Sequence, residues 1–229
     1  MKTRSAYNPN SNTKAYYMLN GDCVDISGSN NGGTPTAITY PQGKFGQAAK
    51  FDGSSSSISL GAGTSLNNAT FTYSAWINLQ AAPTDNPNII SGSGTNYPCF
   101  RVNSSYQLNL LRQGVADLVS STGTIKLNKW HHVVITDDSS GNYAFYIDSW
   151  SAGSGSHAAQ TWARTANYLG NPAGERWNGL IDEVIIESRA WTAAEVSTYY
   201  RKSVLNYGVK KSWFTNLLQK FSNFFAFFQ

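Results

Sequence analysis

The chain has 229 residues, enough for one large domain with appendages. Aromatics make up 14% and charged residues only 13%, with 20 glycines, a balance that favours short strands and polar turns over helices. The formal charge of +4 sits at the ends: residues 1–14 and 201–229 hold bases and no acid, leaving nine bases against all 13 acids between them, which excludes a basic nucleic-acid face on the main body.

Residues 1–14 are polar, with Pro9 and several asparagines, and read as an arm or linker. Met1 leads into Lys2-Thr3-Arg4-Ser5 with no apolar stretch behind it, so no ordinary signal peptide is expected. Residues 15–19 make a first strand, and Asp22 to Thr36, rich in Gly, Asn and Ser, is an irregular loop. Gly46 to Phe51 ends at the turn pair Asp52-Gly53, and Ser57 to Leu60 resumes an extended pattern. Phe71 to Leu79 alternates cleanly: Phe71, Tyr73, Ala75, Ile77 and Leu79 share one face, and Thr72, Ser74, Trp76 and Asn78 the other. Further strands are predicted over 100–102, 107–112, 115–120, 130–136, 143–148, 167–170 and 180–187. Thr192 and Glu195 form a capping box that opens a helix running toward Tyr200. The ending, about Ser212 to Phe228, reads as a second, amphipathic helix. Short strands at regular spacing imply an all-β sandwich or jelly roll of two antiparallel sheets. No run reaches the ~18 apolar residues that a membrane-spanning helix needs. Cys23 and Cys99 lack metal-ligand spacing, and whether they pair is left open.

Six segments occur together in one order. They are Ala15-Tyr16-Tyr17-Met18-Leu19 with the loop Asp25 to Gly32, Gly43 to Gly53, Phe71 to Ile77, Lys129-Trp130-His131-His132-Val133-Val134-Ile135-Thr136, Gly179-Leu180-Ile181-Asp182-Glu183-Val184, and the helix from Ala190 to Tyr200. Over about residues 15–200 this order resembles the laminin-G-like jelly roll of the concanavalin A-like lectin/glucanase superfamily. One departure stands at Asp148-Ser149-Trp150, where the family carries an Asp-Gly turn. The resemblance implies that Trp130 and Trp177 are core residues. It also implies a Ca²⁺ at the sandwich rim, for which Asp25, Asn30 and Asp182 are the best candidate ligands because hard cations take oxygen donors. The competing reading of the loop is a Gly/Asn turn held by its own side-chain hydrogen bonds.

Hydrolysis of glycosides is disfavoured. Two carboxyl groups ~5–9.5 Å apart are needed. The Glu-x-Asp-x-x-Glu motif of glucanases with this fold is absent, Glu183 and Glu187 lie ~13 Å apart along one strand face, and Asp182 alternates to the other face. His131 and His132 also alternate, so they read as a packed pair and not as a joint metal grip. Sugar rings offer apolar C–H faces to aromatic rings. Trp76, on an otherwise polar face, and Tyr97, Trp150 and Trp162, in or beside turns, are the candidate glycan contacts.

Along the predicted second helix, Trp213, Phe214, Leu217, Leu218, Phe221, Phe224, Phe225 and Phe228 form a broad apolar stripe. Such a stripe calls for self-association or a partner groove, for packing on its own sandwich, or for a membrane surface. The expected organisation is an arm over 1–14, a jelly roll over 15–200, and a basic linker with an amphipathic helix over 201–229. The expected role is non-catalytic recognition of a glycan or cell-surface polysaccharide. Its setting is expected to be a phage virion or the exterior after lysis or non-standard export, and otherwise the cytoplasm. A structural coat or decoration protein is the alternative.

Overall fold

A computed structural model describes residues 6–60, 66, 68–95, 97–112, 116–120, 122–158, 163–170 and 174–208 of the chain. Among the described residues, two antiparallel sheets of seven strands each face one another. The first holds β1 (Thr13–Tyr17), β3 (Ala49–Asp52), β5 (Phe71–Leu79), β10 (Trp130–Asp137), β11 (Asn142–Ile147), β12 (Trp150–Ser156) and β14 (Asn178–Glu187). Its order is β1-β14-β5-β10-β11-β12, with β3 paired to the other half of the edge that β1 covers on β14. The second holds β2 (Thr34–Thr36), β4 (Ser57–Ser59), β6 (Asn88–Thr95), β7 (Pro98–Val102), β8 (Leu108–Arg112), β9 (Ala116–Val119) and β13 (Ala163–Leu169), ordered β2-β4-β13-β6-β7-β8-β9. The jelly-roll sandwich expected from the strand spacing is therefore present, and the first and last strands do pair.

The main core follows from period-two alternation. Phe71, Tyr73, Ala75, Ile77 and Leu79 of β5 meet Val133 and Ile135 of β10, Phe100 and Val102 of β7, and Leu108 and Leu110 of β8, with Trp177 buried among them. A second apolar layer lies on the outside of the first sheet. The helix α1 (Ala193–Gly208) lays Val196 and Tyr199 on Tyr16, Val134, Tyr146, Ile185 and Trp191. Its start is fixed as the capping box requires: Glu195 N donates to Thr192 Oγ1 (3.3 Å), and Thr192 N donates to Glu195 Oε2 (2.8 Å). Residues 6–12, assigned from sequence to a loose arm, are tied down here. The Tyr7 ring packs edge-on to Tyr16 and Tyr199, and its hydroxyl donates to buried Glu187.

Strand β14 departs from simple alternation. Asp182 pairs with Trp76 and Ile185 with Ser74, so one extra residue is inserted, and Glu183 takes a left-handed φ of 49°. Ile181, Val184 and Ile186 still face the main core. The bulge brings Asp182 and Glu183 to the same outer side, where the like charge of Glu183 acts on Asp182, and this corrects the alternation expected from sequence. Both cysteines are buried free thiols.

Candidate functional site

Strands β11 and β12 are joined by the two-residue turn Asp148-Ser149, across which Ile147 pairs with Trp150. Both turn residues have positive φ (51° and 71°), the type I′ geometry that suits the twist of a hairpin. The turn keeps its shape without glycine because Asp148 is anchored from inside. Its Oδ2 accepts from His131 Nδ1 (2.7 Å), and its Oδ1 accepts from His132 N (2.9 Å). Lys126 N in turn donates to His131 Nε2 (3.2 Å), which places the neutral imidazole proton on Nδ1. Half-burial pushes the Asp148 carboxyl upward, but the bonds from His131 and His132 outweigh it and hold the carboxyl below its usual range.

This anchoring leaves Trp150 at the hairpin end with 79% of its surface exposed. The ring borders a cleft of ≈ 500 Å³ lined also by Thr122, Thr124, Lys126, His131, Asp148 and Ser151. A large apolar ring left in water beside residues that carry hydroxyls and a lysine suits a ligand with one apolar face and a polar rim.

The other residues singled out from sequence do not join Trp150. Trp76 does face the outer side of its strand, yet that side is roofed by α1 and only 1% of the residue is exposed. Its ring is stacked on Tyr200 (5.6 Å between centroids), meets Phe45 edge-on (5.3 Å), and lies under Lys44 Nζ (4.5 Å). It therefore presents no face to a ligand, which corrects the expectation of an open strand face. Tyr97 lies between β6 and β7 in the second sheet, where it feels the charges of Glu175 and Arg101. Trp162 and the stripe Trp213, Phe214, Leu217, Leu218, Phe221, Phe224, Phe225 and Phe228 lie outside the described residues. Trp177 is fully buried, as expected of a core residue, and Trp130 is half-buried.

The implied Ca²⁺ ligands sit in separate hydrogen-bond arrangements. Asp25 accepts the main-chain amides of Tyr16, Ser27 and Asn31, each at 2.9 Å, which is the self-bonded loop of the competing reading. Asn30 contributes a left-handed turn residue with φ 58°. Asp182 accepts instead from Phe45 N (3.0 Å), and burial together with Glu183 raises its pKa well above the carboxylate range, favouring the neutral acid. This donor set does not fit a shared hard-cation site. Among the described residues no cluster of three or more His, Cys, Asp or Glu side chains is placed to hold a metal.

The histidines separate as alternation requires. His132 is fully buried beneath α1 with Nε2 on Ser74 Oγ (2.8 Å), and burial lowers its pKa to about 3, so it is neutral. His131 lines the cleft. Lys126 and the His131–Asp148 pair were missed as cleft residues from sequence. The available signal was the family's Asp-Gly turn written as Asp-Ser-Trp, which flags a hairpin held by something other than glycine.

The laminin G family described as the concanavalin A-like lectin/glucanases superfamily matches residues 52–197. Among solved structures, the chain is similar to domain 4 of AbnA, a GH43 extracellular arabinanase from Geobacillus stearothermophilus, in complex with arabinotriose. That match has a TM-score of 0.69 and 24% identity over 82% of this chain and 98% of that one. The binding domain of Paraclostridial Mosquitocidal Protein 1 matches with a TM-score of 0.70 and 18% identity, over 82% of this chain and 52% of that one. Trypanosoma rangeli sialidase in complex with sialic acid matches with a TM-score of 0.66 and 16% identity, over 84% of this chain and 33% of that one. At these identities the likeness is one of fold. No curated protein matches the sequence.

Proposed function

Because the chain belongs to the laminin G family of the concanavalin A-like lectin/glucanase superfamily, we propose that it is a non-catalytic carbohydrate-binding module whose ligand lies in the cleft beside Trp150. The observation that carries this reading is the exposed indole at a hairpin end, bordering a cleft whose lining includes hydroxyls and a lysine. Sugar C–H faces stack on such a ring while hydroxyls exchange hydrogen bonds with Thr122, Thr124 and Ser151. The neighbouring fold from the arabinanase was solved with arabinotriose, which supports saccharide binding on this scaffold. Hydrolysis needs a second carboxyl group across the sugar. Among the described lining residues Asp148 is the only carboxylate, and both its oxygens already accept hydrogen bonds.

The test is a glycan array probed with the wild type and Trp150→Ala. Removing the ring forfeits ~1.5–3 kcal/mol of burial, so binding to the array hits falls about tenfold or more. The melting temperature stays the same, because the ring is mostly in water in the free protein. Undiminished binding by the variant would move the saccharide site away from this cleft.

A further inference from the structure

The polar groups of the Trp150 cleft are unequal in what they have left to offer. Both oxygens of Asp148 are taken by His131 Nδ1–H and His132 N–H. Both nitrogens of His131 are taken by Asp148 and by the Lys126 amide. Burial lowers the pKa of nearby Lys44, and the charge of Asp148 acts against that shift. Among the described lining residues, what remains is the hydroxyls of Thr122, Thr124 and Ser151, which donate and accept, and exposed Lys126, whose ammonium only donates. Among the described residues lining the cleft, the charged side chain outside any ion pair is that of Lys126, although the segment from 15 to 200 carries nine bases against 13 acids.

Resting on the saccharide reading above, we propose that the sugar taken by this cleft carries an anionic group, a uronate carboxylate or a sulfate ester, that pairs with Lys126 Nζ while the ring stacks on Trp150. A neutral sugar offers that ammonium only uncharged hydroxyl oxygens as acceptors. An acidic one gains a charge-assisted hydrogen bond on the same ring that stacks.

The experiment uses matched pairs that differ only in charge: oligogalacturonates and their methyl esters, aldouronic acids and plain xylo-oligosaccharides, and sulfated and unsulfated galactans. Titration calorimetry on the full chain should show at least one acidic member binding about tenfold tighter than its neutral partner, the effect of one charge-assisted hydrogen bond. Added salt should erode that advantage. Lys126→Gln should abolish the preference, bringing acidic and neutral partners to the same affinity, and an unchanged melting temperature, expected from the exposed side chain, checks that the variant is folded. Trp150→Ala should weaken both members of each pair. If neutral and acidic partners bind alike and Trp150→Ala weakens both, the anionic preference is overturned and the saccharide site stands. If no member of any pair binds, the saccharide reading fails and takes this inference with it.

Discussion

Glu183 is a carboxyl group in a place that water does not reach. It is 1% exposed, one oxygen accepts from Tyr16 Oη, and the other has no hydrogen-bond partner among the described residues. Burial lifts its pKa from 4.5 to about 7. A carboxyl raised on folding contributes its full stability below pH 4.5, where both states are protonated. The contribution declines as the unfolded chain ionises, and the loss is complete just above pH 7. The total loss is about 3 kcal/mol. Urea unfolding of Glu183→Gln should therefore lack this decline, so that the variant gains on the wild type between pH 4.5 and 7 and keeps a constant lead above. Curves that stay parallel across this range would show that Glu183 is ionised in the fold. Ser149 is one of the residues that hold a left-handed backbone. It holds φ 71° in the hairpin turn without being glycine. Ser149→Gly should stabilise by about 0.5 kcal/mol in the same unfolding assay, because only the side chain opposes the left-handed backbone.

At the scale of elements, α1 is the piece that decides what the first sheet's outer face is for. Thr192 satisfies the amide of Glu195 at the helix start, and Arg189 Nη1 holds Glu195 Oε1 at 2.7 Å. Thr192→Ala should cost about 1 kcal/mol by denaturant unfolding. It should also change Trp76 fluorescence, since Tyr200 of the same helix stacks on that indole. This coverage explains how legible the chain was. The bounds of β5 followed from strict alternation, but alternation alone could not say that the polar side of β5 is dry. Thr72 Oγ1 donates to Arg189 O (2.7 Å) and accepts from Trp191 N (2.9 Å), while Ser74 holds His132, so polar residues that read as solvent-facing are the hydrogen-bonding floor of a helix. β6 and β12 were not predicted because Gly and Ser fill them with no apolar period. Pairing with β7 and β13 in one case, and with β11 in the other, makes them strands. The one-residue bulge at Glu183 is invisible to a period-two reading, and a single inserted residue moves Asp182 and Glu183 to the same side. At the candidate site, Trp150 was legible as an aromatic beside a turn, whereas Lys126 reaches it only through the tertiary contact with His131.

At the scale of the molecule, the described parts of the two apolar layers are tied together through the N-terminal residues, the last strand and α1. Among the described residues, the buried members of the main core lie between Ala15 and Ile186, and those of the outer layer between Tyr16 and Tyr199. Glu187, fully buried, draws bonds from Asn10, Trp191 and Arg189 as well as Tyr7, so the N-terminal residues, the last strand and the start of α1 lock together as one unit. Cutting after Gly208 removes none of these partners, whereas cutting after Ser188 removes Trp191, Arg189 and the whole of α1. The shorter cut should leave the melting temperature and Trp150-dependent saccharide binding where they are. The longer cut should leave Glu187 buried with its cation and indole partners gone and expose Tyr16, Trp76 and Ile185. Breaking one buried charged pair alone costs about 3–5 kcal/mol, a large share of a domain's stability of about 5–15 kcal/mol. The protein cut after Ser188 should thus bind a hydrophobic dye and melt without a cooperative transition, and calorimetry of the two truncations side by side reads both outcomes. A cooperative transition at the wild-type temperature after the longer cut would mean that the sandwich stands without its outer layer. Lost stability after the shorter cut would mean that residues 209–229 belong to the folded unit.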